Sequence, residues 1–198
     1  MSYSIDASTD NCYPGTTCLI NKFNIRDEKL LSEVESEITF AKASMLEQSP
    51  LEGSFDFEHL KSIHKFLFED IYDWAGKIRD VDINKKTTRF LDHKQINEIG
   101  YVCLEKISNG YLDGIDRNEF IKRIAELYND VNYIHPFREG NGRAQRIFFA
   151  QLIRSRGYDI DFSNVDTDYL MIATIQATQG VMDFLIDFFD SAIIQDRA

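Results

Sequence analysis

The sequence predicts a mainly α-helical bundle that carries one small β-hairpin, and three observations lead there. Apolar residues recur at steps of three and four through most of the chain, the period of helices with one buried face. One stretch, residues 78–91, drops that period and reads as two short strands around a polar turn. No block of sequence recurs at a fixed spacing, so a solenoid or propeller is excluded.

Taken in order, residues 1–25 form an irregular arm with a turn at Pro14-Gly15. Residues 27–48 place Leu30, Leu31, Val34, Ile38 and Ala41 on one helical stripe, which ends before Ser49-Pro50 because the residue ahead of proline disfavours helix. Residues 56–75 put Leu60, Ile63, Leu67, Ile71 and Trp74 on a second helix, with Gly76 as its stop. In 78–91, Ile78, Val81 and Ile83 lead into the tip Lys85-Lys86-Thr87-Thr88, and Phe90 follows as an apolar anchor. The tip has no glycine, so its turn type is not specified.

Helical spacing returns over 93–108, through Ile96, Ile99, Cys103 and Ile107. Asp116 with Glu119 three residues on is a capping box, opening a helix striped by Phe120, Ile124, Leu127, Val131 and Ile134. The next helix runs from Asn141 to Arg156 with Gly157 behind it, and helices near 166–178 and 181–194 complete the bundle. We divide the chain into an arm and helix, 1–55, and a core, 56–198, within one compact domain.

Composition narrows the function classes. Cys12, Cys18 and Cys103 show no paired spacing and the four histidines stand apart, so neither a disulfide framework nor a zinc site is indicated. The first residues lack a basic start, and no apolar run has the length of a membrane span; the expectation is a cytoplasmic protein with no membrane contact. A formal net charge of −11 argues against direct nucleic-acid binding, which draws its affinity from neutralised phosphates. Against that background the basic cluster Arg138, Arg143, Arg146, Arg154 and Arg156 stands out.

Three of these arginines belong to HPFREGNGRAQR, residues 135–146, where a polar glycine-rich segment runs into a helix. A helix N-terminus carries unpaired N–H groups and partial positive charge, so it attracts phosphate. Gly140 and Gly142 let the backbone approach an anion closely, Asn141 can add a side-chain amide, and Arg143 and Arg146 project from one helix face to neutralise a polyphosphate. Glu139 beside such an anion suits Mg²⁺, which favours one or two carboxylates plus phosphate oxygens. His135, fixed by Pro136, is the candidate general base, and Phe137 is a core anchor.

These residues carry a resemblance. HPFREGNGR matches the HPFx(D/E)GNGR signature of the Fic domain at every defined position. HLKSIHKFLFEDIYDWAGKIRDVDI is similar to the helix and strand leading to the Fic flap, and NKKTTRF to the flap. YPGTTCLINKFNI resembles the arm of the bacterial Fic toxins of toxin–antitoxin modules.

The resemblance implies the Fic fold, a helical bundle with its flap (78–91) next to the active-site motif (135–146). It also implies a protein adenylyltransferase that moves AMP from ATP to a target hydroxyl. In that reading His135 is the base and Glu139 the Mg²⁺ ligand. Gly140, Asn141 and Gly142 form the anion hole, and Arg143 and Arg146 hold the phosphate tail, with Arg138 counted among the nucleotide contacts. Lys85, Lys86, Thr87 and Thr88 line the nucleotide side of the flap, to whose edge the target adds as a strand. The implied target is a type II topoisomerase subunit, of DNA gyrase or topoisomerase IV.

Fic enzymes are commonly held off by a helix bearing (S/T)xxxE(G/N), whose glutamate pairs with the second motif arginine, here Arg146. Glu-Gly occurs here only at 52–53 and 139–140, with Gln48 and His135 where Ser or Thr is required, and Glu-Asn does not occur. The implied inhibitor is therefore a separate antitoxin protein carrying that helix. Two other readings stay open: a Fic-fold transferase with another donor, phosphate or phosphocholine, and a nucleotide-binding regulatory module. Gly142, where the phosphate-transferring branch has lysine, speaks against the first, and His135 with Glu139 against the second.

Overall fold

The computed structural model describes residues 11–85, 88–162 and 165–195, without the side chains of Lys85, Thr88 and Gln195. An irregular arm leads into helices α1 (Glu28–Gln48) and α2 (Phe57–Phe68). A hairpin of β1 (Asn84–Lys85) and β2 (Thr88–Arg89) follows, then a 3-10 turn, His93–Gln95, continuing into α3 (Ile96–Ser108). Helices α4 (Arg117–Ile134) and α5 (Asn141–Arg154) form the centre. Strand β3 (Tyr158–Asp159), α6 (Thr167–Thr178), α7 (Asp183–Ala192) and β4 (Ile194–Gln195) complete the fold. Packing radiates from the central pair: α2 lies on α5, and α4 is flanked by α3, α6 and α7.

The arm turns at Pro14-Gly15, where Gly15 has φ +76° and Tyr13 and Cys18 close the loop through an N–H···O bond of 2.9 Å. Asp27 caps α1 by accepting the Leu30 N–H at 2.9 Å, and Asp116 caps α4 by accepting that of Glu119 at 2.9 Å, each answering a donor that the first turn leaves open. The expected α4 stripe is buried throughout, from Phe120 to Ile134. The hairpin pairs Asn84 with Arg89 and Lys85 with Thr88 in antiparallel register.

Three features differ from the expectation. The inward face of α1 is Leu31, Glu35, Thr39 and Leu46; Leu30 and Ala41 point to solvent, and two polar side chains take core positions. Helix α2 ends at Phe68 rather than at residue 75. Beyond it the chain continues as turns, with the Ile71 N–H on the Phe68 carbonyl and the Lys77 N–H on that of Trp74, both at 2.9 Å. Bonds of that kind also repeat every three residues, so apolar spacing alone does not separate them from a helix. The β3–β4 pair, Tyr158 with Gln195 and Asp159 with Ile194, was not expected, because two-residue strands are too short to show alternation. Among the described residues no helix is long and apolar enough to cross a membrane.

Candidate functional site

The site grows from the loop between α4 and α5. His135 closes α4 in the left-handed region, φ 44° and ψ 63°, while its N–H still bonds the Val131 carbonyl at 3.0 Å. Its Nδ1 lies 3.1 Å from the Asn132 carbonyl oxygen. A carbonyl only accepts, so Nδ1 carries the proton and Nε2 is the basic nitrogen. Phe90, directly after β2, stacks on the imidazole with ring centres 3.8 Å apart and planes 13° apart, fixing its plane.

Arg79 locks the loop from behind. Its backbone N–H bonds the Pro136 carbonyl at 2.8 Å, its Nε bonds that of His135 at 2.9 Å, and its terminal nitrogens reach the carbonyls of Val81 (2.7 Å) and Leu91 (2.5 Å). One buried guanidinium thus ties both ends of the flap to the base. Burial pulls its pKa down to about 10, so it stays cationic at neutral pH.

Asn141 clasps the loop: Oδ1 accepts the Phe137 N–H at 2.8 Å and Nδ2 donates to the Phe137 carbonyl at 2.7 Å. The side-chain amide expected to face the anion closes the turn instead, leaving Asn141 its backbone N–H for that task. Gly140 has φ +77°, and a Cβ there would sit 2.2 Å from Phe68 Cζ, so no larger residue fits. The first intrahelical bonds run from Arg143 and Ala144 to the Gly140 carbonyl, both at 3.1 Å. The N–H groups of Asn141 and Gly142 therefore have no intrahelical partner, which makes an anion site.

Glu139 is seated beside it. Its Oε1 accepts the Gly140 N–H at 2.8 Å and lies 3.5 Å from an Arg143 terminal nitrogen. Its backbone carbonyl takes a bond of 3.0 Å from His64 Nε2, while His64 Nδ1 accepts the Gly76 N–H at 2.9 Å, which settles the tautomer. Burial is the main cause raising the Glu139 pKa and the nearby Glu35 carboxylate adds to it, against the pull of the Gly140 N–H, Arg143 and Arg138. A desolvated carboxylate next to a second carboxylate and an anion site suits a divalent cation.

The two motif arginines differ. Arg143 bonds Glu35 Oε1 at 2.5 Å and Thr39 Oγ1 at 3.2 Å, and its guanidinium lies over the Phe68 ring at 4.8 Å. Arg146 is half-buried, beside Gly142, and among the described residues makes no ion pair. Arg138 lies just ahead of them. It is buried, with one terminal nitrogen 3.7 Å from Cys12 Sγ in the N-terminal arm, and its charge acts on Glu139. Of the flap residues, Lys86 and Thr87 lie outside the described residues, as do the side chains of Lys85 and Thr88.

Glu35, Thr39, His64, Tyr72 and Arg79 were not singled out from the sequence. For the first two a signal existed: polar residues four apart fall in line with Leu31 and Leu46 on one helix face.

Comparison with known proteins bears on this arrangement. Residues 54–153 match the model of the Fic/DOC family. The chain is 38% identical over 183 residues to protein adenylyltransferase VbhT of Bartonella schoenbuchensis, covering 92% of this chain but 38% of that longer protein. It is 34% identical to the “Probable protein adenylyltransferase Fic” of Escherichia coli K12, over 91% of this chain and 90% of that one. Among solved structures it resembles BepC of Bartonella tribocorum with bound AMPPNP, at TM-score 0.85 and 27% identity over 96% of this chain and 98% of that chain. It also resembles the N-terminal Fic domain of a Bartonella quintana effector with bound ADP, at TM-score 0.87 and 27% identity over 95% of this chain and 96% of that chain.

Proposed function

The chain belongs to the Fic/DOC family and is an enzyme of the protein adenylyltransferase type, and from that premise we propose that it transfers AMP from ATP to a hydroxyl side chain of a target protein. The observation that carries this reading is the meeting of three groups in one loop: the oriented His135 base, the open N–H groups at the head of α5, and the Glu139 carboxylate. The nucleotides named with its structural relatives support ATP as the donor.

The chemistry follows from placement. His135 Nε2 takes the proton of the target hydroxyl as its oxygen attacks the α-phosphorus; the bond to the pyrophosphate leaving group breaks, and the α5 N–H groups with Arg143 and Arg146 hold the phosphate charge. Alignment supplies most of the rate, so rigid seating of the base matters more than its chemistry alone. Glu139 would hold Mg²⁺, which when bound neutralises phosphate charge. The target segment would add as a strand to the flap edge, setting its hydroxyl against His135. A type II topoisomerase subunit remains the proposed target.

Regulation belongs to the same proposal. With Arg146 making no ion pair among the described residues, a glutamate from a separate antitoxin helix has an open partner there.

The test uses bacterial lysate, Mg²⁺ and ATP labelled at either the α- or the γ-phosphate. Label should enter protein only from the α-position and vanish with His135→Ala; transfer from the γ-position would overturn the reading. The chain alone should be active, and activity appearing only after removal of residues 1–55 would place the inhibitor inside the chain instead.

A further inference from the structure

Glu35 is buried on α1, where a helix packing against a core ordinarily presents an apolar side chain. Both its oxygens are engaged. Oε1 receives an Arg143 terminal N–H at 2.5 Å and Oε2 receives the Tyr72 hydroxyl. Thr39, one turn on, donates its hydroxyl to the Glu35 carbonyl at 2.7 Å and accepts from the other terminal nitrogen of Arg143 at 3.2 Å. Phe68 supplies a ring face beneath the same guanidinium.

Arg143 is therefore held by residues from α1 and α2, although its own place is the first turn of α5, beside the N–H groups that form the anion site. A buried ion pair of this kind contributes little net stability compared with a well-packed apolar pair, so stability alone does not account for it. Holding an arginine in one rotamer is another matter. A free guanidinium on a flexible stem loses side-chain freedom when it grips phosphate, and one already fixed does not. Its planar fork carries five N–H donors, of which these contacts occupy only some.

We propose that Glu35 is a positioning residue for the nucleotide. It sets the Arg143 guanidinium at the phosphate site before ATP arrives, with Thr39 completing the grip and Tyr72 fixing the Glu35 carboxylate. This rests on the adenylyl-transfer reading for its setting, but it is tested by nucleotide binding, which needs no target protein.

The experiment is a double-mutant cycle on the full chain. Glu35→Gln, Arg143→Ala and the pair are titrated with a non-hydrolysable ATP analogue by calorimetry, with far-UV circular dichroism as the folding check. Glu35→Gln should weaken binding by about tenfold, the scale of one charge-assisted contact, and should raise the KM for ATP in the labelling assay while kcat changes little. In the Arg143→Ala background, Glu35→Gln should add almost nothing, because its effect runs through that guanidinium. Tyr72→Phe, the gentler change, should weaken binding by about threefold in the same direction. Unchanged or tighter binding in Glu35→Gln, or independent losses in the double variant, overturns the proposal. Should Glu35→Gln fail to fold, unchanged binding in Tyr72→Phe does the same. If no protein is labelled yet the cycle behaves as stated, it is the transfer reading that fails and the positioning role that stands.

Discussion

At the scale of single residues, the site consists of groups that each have one job and little freedom. His135 sits in a backbone region that costs a non-glycine residue about 1 kcal/mol or more, held there by Arg79 and Phe90. His135→Ala should reduce adenylyl transfer by about 10²- to 10⁴-fold and leave ATP-analogue affinity nearly unchanged, since in the proposed reaction the ring acts on the target proton and not on phosphate. Single-turnover labelling beside calorimetry distinguishes the two, and a parallel loss of affinity would assign His135 a binding role. Gly140→Ala meets both a positive φ and the Phe68 ring, so its melting temperature should fall by several degrees, equivalent to about 1–3 kcal/mol; an unchanged melting curve would mean the loop yields. These residues were legible in the sequence because their types are unusual together: two glycines, an acid and two arginines within eight positions. Glu35 and Arg79 were not, since one polar residue on an apolar stripe and one arginine before a strand announce no partner.

At the scale of elements, α2 shows how packing sets pH behaviour. His59 and His64 are both buried on it, and burial is the first cause lowering both pKa values, that of His64 to about 3. Unfolded, each titrates near 6.5, so the unfolded chain binds more protons below that point. Stability should accordingly be full above about pH 6.5 and decline from there toward pH 3, with His64 alone contributing a slope of about 1.4 kcal/mol per pH unit. Glu139, shifted upward, works in the opposite sense just above its ordinary pKa. Urea unfolding at steps from pH 7.5 to 5 measures the slope, and a flat profile would show that these histidines become protonated in place. The elements themselves were mostly legible, because apolar period and caps act locally: Asp27 and Asp116 start their helices in the structure. What spacing could not show was which of two overlapping stripes of α1 faces inward, since the inward one includes Glu35, whose partner Arg143 lies on another helix.

At the scale of the whole molecule, the helix that bears the anion site is secured from both ends of the described chain. Arg138, just ahead of α5, binds Cys12 in the arm, and β3, just behind it, pairs with β4. Arg117, at the start of α4, adds a second tie, its guanidinium reaching the carbonyls of Asp190 and Ile193 at 2.9 Å. Such pairings link residues far apart in sequence, so no local pattern foretells them. Removal of residues 183–195 should therefore abolish cooperative thermal unfolding and nucleotide binding together, as read by calorimetry with and without the ATP analogue; a truncated chain that still melts sharply would make α7 and β4 dispensable. The same arrangement bears on synthesis. Ile194 lies about forty residues beyond the end of α5, so a ribosome completes α5 well before the strand that pairs with β3 behind it. A nascent chain halted in between would hold the HPFREGNGR motif without that strand, and the proposed adenylyl transfer would have to wait until Ile194 had left the exit tunnel.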